Sequence, residues 1–255
     1  MNTSIAAVLF AGLALAASQG ALAQHWSYEG DAAPANWAKL DPKFVMCGIG
    51  KNQSPIDLAQ FTDAELKPLK VIYRAAAIDI HHKGRPVATD ILNNGHTVQV
   101  NYEPGSMLVV DGREFELKQF HFHAPSENTI NGKHFPLESH LVHADKDGNL
   151  AVVAVMFSEG KANPLLSQLW EKLPAKDAKN ALPSGLSAAG LLPASRDHYS
   201  FSGSLTTPPC SEGVRWLVLK QPATASKAQI ERFTSTLGMT NNRPVQPTNA
   251  RAVLR

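Results

Sequence analysis

The sequence predicts a mainly β domain of the α+β kind: a mostly antiparallel sheet with short peripheral helices. Three observations carry this. Short segments rich in β-branched or alternating apolar residues recur along the chain. Gly, Pro, Asn or Asp separates most of them, as at Pro104-Gly105, Asn131-Gly132 and Asp147-Gly148. Only two stretches show helical spacing. The strand segments, in order, are Val71–Tyr73, Thr97–Tyr102, Met107–Val110, Phe115–His123, Phe135–His143, Leu150–Phe157 and Val214–Leu219. Asn163–Leu173 places Leu165, Leu166, Leu169, Trp170 and Leu173 on one helical face. Ser226 with Gln229 fits a capping box ahead of Ile230, Phe233 and Leu237. The Ala/Ser/Gly/Pro-rich stretch 174–195 reads as a long surface loop. There is no internal repeat and no low-complexity linker.

The 255 residues are 44% apolar and 18% charged, an ordinary globular balance that excludes bulk disorder. Lys and Arg total 24 against 22 Asp and Glu, a net charge of +2 and too even for a nucleic-acid binder. Seventeen Gly and 17 Pro exclude a helical bundle or coiled coil. Ile5 to Ala17 is unbroken apolar or small sequence, shorter than the roughly 20 residues of a membrane span. Ala21-Leu22-Ala23 follows as a cleavage site, so residues 1–23 read as a secretory signal peptide and 24–255 as one domain beginning at Gln24. The segment Met1-Asn2-Thr3-Ser4 lacks the usual Lys or Arg, and an uncleaved anchor is the alternative. No later segment is apolar enough to cross a membrane. Export makes Cys47 and Cys210 candidates for a disulfide, the alternative being two separate buried thiols. A bridge across so long a loop would stabilise by roughly 4–5 kcal/mol.

The histidines carry the chemistry. Gln119, His121 and His123 share one parity, so in a strand they face one way, while Phe120 and Phe122 face the other. An H-x-H pair in a strand sets two imidazoles side by side. On the next strand Glu138, His140 and Val142 share a face, and Ser139, Leu141 and His143 share the opposite one. If the two strands pair antiparallel, His140 joins His121 and His123. Three neutral imidazoles with an open fourth position form the ligand set of a catalytic zinc. His143 faces away and reads as a core histidine, and His134 lies exposed near the turn. His81-His82 point to opposite faces, and His25 and His198 show no supporting pattern. Gln119 and Glu138 each precede a candidate ligand by two residues, where a partner for the imidazole's other nitrogen belongs.

Gln119-Phe-His-Phe-His123, Glu138-Ser-His-Leu-Val-His143 and Gly203-Ser-Leu-Thr-Thr-Pro-Pro209 resemble the α-class carbonic anhydrases. Further matches are His25-Trp26-Ser27-Tyr28, Lys51-Asn-Gln-Ser-Pro-Ile-Asp-Leu58, Ile91-Leu-Asn-Asn-Gly-His96, Ser126-Glu127 and Arg243-Pro-Val-Gln-Pro247. They span essentially the whole of 24–255 in one order. The resemblance implies a large twisted, mostly antiparallel central sheet with zinc in a conical cleft. It implies one Zn2+ per chain on His121, His123 and His140, and reversible hydration of CO2 to bicarbonate and a proton by zinc-bound hydroxide. Thr206 then accepts a hydrogen bond from that hydroxide and gives its own proton to Glu127, an orienting effect. Val142, Val152, Leu205, Val214 and Trp216 would line the CO2 site, with Thr207 as a second pocket hydroxyl. His96 matches the proton-shuttle histidine, Tyr28 the tyrosine that orders the waters along its path, and Asn241 a residue whose backbone carbonyl accepts from His123. The Cys47/Cys210 pair with a signal peptide resembles the exported bacterial members, which puts the protein in the periplasm or outside the cell and allows a homodimer. Partners are CO2, bicarbonate and water, with no nucleic acid and, after cleavage, no membrane. Ala124 stands where many animal members have Trp, and Asn128 where many have His; both departures bear on cleft shape.

Three other classes remain open to the sequence, one of them a purely structural export protein with satisfied core histidines, which metal content would separate. A non-catalytic relative would usually lack a zinc histidine or the Thr matching Thr206, and both are present. A periplasmic metal carrier would favour exposed His or Met tracts, and the five Met form no cluster.

Overall fold

A computed structural model describes residues 25–74 and 88–255. The signal-peptide segment 1–23 and the His81-His82 pair lie outside the described residues. The strands are β1 (Asp57–Leu58), β2 (Lys70–Ile72), β3 (Ala88–Asn93), β4 (Val98–Tyr102), β5 (Met107–Val110), β6 (Arg113–His123) and β7 (Thr129–Ile130). They continue as β8 (Leu137–Ala144), β9 (Leu150–Glu159), β10 (Ala178–Ala181), β11 (His198–Ser204), β12 (Glu212–Leu219) and β13 (Ala223–Ala225). Among the described residues the helices are short: α1 (Trp37–Leu40), α2 (Met46–Ile49), α3 (Pro164–Trp170) and α4 (Lys227–Leu237), with several 3-10 turns. None is long and apolar enough to cross a membrane.

Eleven strands form one sheet whose main path is β10-β3-β4-β6-β8-β9-β12-β11. Pairing is antiparallel except where β9 meets β12 and β13. The sheet is buried on both faces at its centre, so β9 reads as a continuous apolar run rather than an alternating one. Its odd positions Ala151, Val153, Val155 and Phe157 enter the larger core, and its even positions Val152, Ala154 and Met156 enter a second core on the other face. β8 divides the same way: Leu137 and Leu141 face the larger core, while Glu138, His140 and Val142 face the second.

β6 changes phase midway. Leu117 pairs with His143 and Gln119 with Val142, so Lys118 is an extra residue, a β-bulge. Before it the odd residues Phe115 and Leu117 enter the larger core; after it the even residues Phe120 and Phe122 do. The bulge therefore turns Gln119, His121 and His123 onto the face opposite the larger core. The alternation of Phe115–His123 taken as one strand conceals this shift.

α3 begins where Asn163 accepts from the backbone N–H of Leu165 and Leu166, with Pro164 in the first turn. α4 has the capping box on Ser226 and Gln229 and ends at Gly238, whose φ is 77°. Gln229 also locks the two helices together, accepting from Asn163 N and donating to Asn163 O at 2.8 Å. Both helices cover the larger core through Leu166, Leu169, Trp170 and Phe233.

The stretch 174–195 is a correction to the sequence reading. It holds β10, which pairs with β3, and a 3-10 turn at Ala188–Leu191. Leu182, Leu186, Ala188 and Leu191 are buried in the larger core, and Ala188 N donates to the Tyr102 hydroxyl at 2.6 Å. Its scattered apolar residues follow neither a helical nor a strand period, so local pattern concealed their burial. β3 and β11 were also illegible as strands, because polar and small residues interrupt them. The disulfide is formed: Cys47 in α2 is bonded to Cys210, with Cα atoms 5.0 Å apart.

Phe233 is fully buried, stacked on Trp170 and edge-on to Phe122. Phe233→Ala is expected to destabilise the protein by about 3–5 kcal/mol in urea unfolding, the ordinary cost of emptying such a site. A loss below about 1 kcal/mol would mean that α4 does not hold down this face.

Candidate metal centre

β6 and β8 pair with His121 directly opposite His140, and His123 opposite Glu138. That register brings three imidazoles together. Ring centroids lie 5.0 Å apart for His121–His123, 5.3 Å for His121–His140 and 4.5 Å for His123–His140. One ligand atom from each lies within 4.8 Å of the other two. Burial holds all three below the ordinary histidine range, His121 and His140 well below it, and the neighbouring imidazoles press those two further down. They are neutral at pH 7, as metal ligation requires.

Each ring is fixed by its other nitrogen. His121 Nδ1 donates to Gln119 Oε1 at 2.8 Å, and His123 Nδ1 donates to the backbone carbonyl of Asn241 at 2.7 Å. His140 Nε2 lies 3.0 Å from Glu138 Oε1, off the ideal hydrogen-bond line. This leaves Nε2 of His121, Nε2 of His123 and Nδ1 of His140 to converge. Glu138 is itself anchored: Oε2 accepts from Glu127 N at 2.6 Å and Asn128 N at 3.0 Å, and Oε1 accepts from Asn128 Nδ2 at 2.8 Å. Burial raises the Glu138 pKa against the opposing pull of these Asn128 bonds.

His123 Nε2 is buried with no hydrogen-bond partner, and so is Glu127 Oε2, 3.5 Å from it. Leaving such atoms unpaired costs about 1–3 kcal/mol each. Three inward lone pairs with a fourth position open are a donor set for a small divalent cation of borderline softness, and the residues fit zinc.

Residues 32–255 match the family described as eukaryotic-type carbonic anhydrase. The carbonic anhydrase of Pectobacterium carotovorum is 49% identical over 90% of both chains. That of Neisseria gonorrhoeae is 44% identical over 98% of this chain and 95% of its own. The solved α-carbonic anhydrase of Thermovibrio ammonificans superposes with a TM-score of 0.85 at 48% identity, covering 91% of this chain and 99% of that one.

The chain belongs to the α-class carbonic anhydrases.

It has carbonic anhydrase activity, and the cofactor the triad would hold is zinc. Around the zinc site of this carbonic anhydrase the remaining residues fall into place by contact. Glu127 is fully buried; its Oε1 accepts from Arg243 N at 2.9 Å, which leaves Oε2 turned toward the triad. Burial pushes its carboxyl up to about 8, opposed by the Arg243 backbone and the Thr206 side chain. A nearby divalent charge acts in the opposite sense and favours the carboxylate. Thr206 is buried in the turn after β11, where Leu205 N donates to Ser211 O and Cys210 N donates to Thr207 O. Thr207 is half-buried in the same turn.

Val152, Val214 and Trp216 belong to the second core, with Val142 and Leu205 packed against it. They share the face of the triad, and Trp216 meets His140 edge-on at 4.8 Å. His96 is half-buried in the turn between β3 and β4, its ring lying flat on Trp26 at 3.7 Å. Burial and the positive fields of His25 and Lys176 push it down to about 4, against Asp177. Burial also holds the Tyr28 hydroxyl well above its ordinary range, with Glu127 adding to the shift and Arg243 opposing it.

His143 faces the larger core, bonded to the Tyr73 hydroxyl at 2.7 Å and to Ala151 O at 3.2 Å. His134 is exposed, with Nδ1 2.6 Å from Ser126 O. His198 is buried in β11, away from the triad.

Sequence reasoning missed the roles of Asn128 and Arg243, and it named Asn241 only for its backbone carbonyl. Asn128 is fully buried behind His140 rather than on the cleft wall, and its amide carries Glu138. Arg243 is nearly fully buried and donates to Gln53 Oε1, Ser54 O and Cys47 O. It ties the disulfide segment to Glu127. The side chain of Asn241 accepts from Ala124 N and donates to Phe122 O and His96 O. The motifs Lys51-Asn-Gln-Ser-Pro and Arg243-Pro-Val marked these places, but a buried arginine has no local signature.

Asn128→Ala is expected to weaken zinc affinity by about 10-fold or more through the freed Glu138, measured by competition with a chelator. His143→Ala is expected to leave zinc affinity unchanged. Equal losses in the two variants would contradict the division between the faces.

Proposed function

We propose that reversible hydration of CO2 to bicarbonate and a proton is carried out at the His121–His123–His140 centre, with the residue roles below. The convergence of three neutral imidazole nitrogens within 4.8 Å carries this reading. Carbonic anhydrases are the standing example of what bound zinc supplies: it lowers the pKa of its water to about 7, giving a hydroxide nucleophile for CO2 near neutral pH.

The chain's own residues orient, exclude and remove. Glu127, held through Oε1 by Arg243 N, offers its carboxylate as hydrogen-bond acceptor to the Thr206 hydroxyl. Thr206 is thereby left with lone pairs, not its proton, facing the reacting oxygen, so it accepts a hydrogen bond and fixes the attacking direction. Val142, Val152, Leu205, Val214 and Trp216 give an uncharged CO2 an apolar wall. Thr207 adds a hydroxyl at its edge. His96 takes the released proton on a ring nitrogen and passes it outward, with Tyr28 bordering the path. At about 4 His96 is neutral at pH 7 and ready to accept, but it holds a proton only in transit. Gln119, Glu138 and Asn241 keep the three imidazoles in the tautomers that ligation needs.

The Cys47–Cys210 bond is consistent with export. We place the protein in the periplasm or outside the cell, as a single domain over 24–255 after removal of 1–23, supported by the A-x-A site and the apolar run before it. A homodimer is the finer reading of its partners and rests on likeness to exported bacterial members.

Stopped-flow CO2 hydration tests the roles. A chelator is expected to abolish turnover and added zinc to restore it. Thr206→Ala is expected to lower kcat/KM by about 100-fold at unchanged zinc content. Unchanged kcat/KM in Thr206→Ala would remove Thr206 and Glu127 from the mechanism.

A further inference from the structure

The ladder between β4 and β6 stops one residue short of Phe122. Its register runs from Asn101 opposite Gln119 to Gln99 opposite His121, while β6 continues to His123. Phe122 lies between the two ligands of β6, so its N–H and C=O belong to the two peptides that join His121 to His123. Thr97 supplies a side chain where the ladder ends. Its Oγ1 donates to Phe122 O at 2.6 Å and accepts from Phe122 N at 3.3 Å. Oγ1 also lies 3.4 Å from Val98 O, but a hydroxyl has one proton and the shorter contact takes it. One hydroxyl thus does for Phe122 what a facing residue's N–H and C=O would do in a ladder. Thr97 is itself held. Asn94 Oδ1 accepts from Thr97 N and from His96 N, each at 2.9 Å, and Asn94 N donates to Thr97 O at 3.3 Å. Asn241 Nδ2 gives Phe122 O a second donor at 2.8 Å, whereas Phe122 N turns to Thr97.

We propose that Thr97 is a positioning residue of the metal centre: its hydroxyl fixes the backbone between His121 and His123, and with it the spacing of the two imidazoles. The proposal rests on the triad as the zinc site. Thr97 touches neither zinc nor substrate and acts through Phe122. Gln119 and the Asn241 carbonyl fix how each ring is turned about its own bonds. They leave open where the peptides that carry the rings lie. A correctly turned ring on a displaced backbone still misses the metal, because ligand distances tolerate only about 0.2 Å. In Thr97→Val a methyl of similar size replaces the hydroxyl, and Phe122 N loses this partner at a buried position. Valine keeps the β-branched shape, so the change removes the bonds and spares the packing.

The first readout is zinc affinity, measured by competition with a chelator. Thr97→Val is expected to weaken it by about 10-fold, the lower end for losing an outer partner of a metal centre. Thr97→Ser keeps the hydroxyl and is expected to bind zinc as the wild type does. Leu108→Ala in β5 empties part of the larger core and controls for general loosening. It is expected to lower stability in urea and leave zinc affinity unchanged. The second readout needs no variant: in the zinc-loaded protein the Phe122 amide is expected to exchange its hydrogen as slowly as that of Phe120 within the β4–β6 ladder. Unchanged zinc affinity in Thr97→Val would overturn the proposal. A loss in Thr97→Ser as large as that in the valine variant, or an equal loss in Leu108→Ala, would make the effect one of packing and overturn it too. So would a Phe122 amide that exchanges as fast as those of the exposed turn 146–149. A wild-type chain that takes up no zinc would overturn the triad reading and this proposal together, whereas zinc held equally by wild type and Thr97→Val overturns the role of Thr97 alone.

Discussion

Three neutral imidazoles held with their lone pairs inward, in a largely buried part of the sheet, are the constraint on which the rest of the structure depends. Left to themselves, such rings would rotate or take the other tautomer. Here each is fixed from outside by a different element: Gln119 within β6, Glu138 within β8 and the Asn241 carbonyl from the C-terminal segment. Glu138 in turn is held by the backbone of Glu127 and by both backbone and side chain of Asn128. The centre therefore recruits residues far apart in sequence, and zinc affinity becomes a property of the whole fold.

The sheet makes this possible by keeping its two faces separate. One face is covered by α3, α4 and the 174–195 stretch, and it is mostly apolar, with His143 bonded to the Tyr73 hydroxyl within it. The other carries the triad and the second core. The bulge at Lys118 is the local device that changes the phase of β6, so that two ligands leave the larger core just where His140 arrives from β8. The parallel pairing of β12 with β9 then places Trp216 beside Val152, which closes the apolar wall next to the ligands. The Cys47–Cys210 bond and buried Arg243 fasten the Thr206 turn and Glu127 to the N-terminal helices.

The parity of His121 and His123 and the pairing that admits His140 were legible in the sequence, because a strand's period and a short connection are local facts. Most strands and both main helices were legible for the same reason. The bulge was not, since Lys118 looks like an ordinary polar position in an alternating run. Arg243, Asn128 and His25 were not, because their meaning lies in contacts with residues distant in the chain. His25 lies in a matched motif, but only the folded chain sets its ring against His96. The buried leucines of 174–195 were hidden by a composition that resembles a loop.

The most direct test of the central claim is long-range proton–nitrogen correlation NMR of the histidine rings, recorded with zinc and after its removal. The account predicts the Nδ1–H tautomer for His121 and His123 and the Nε2–H tautomer for His140, with zinc-dependent changes at His121 Nε2, His123 Nε2 and His140 Nδ1 and none at His143. An Nε2–H tautomer on His121 or His123 in the zinc-loaded enzyme, or a zinc response at His143 in place of His140, would contradict it.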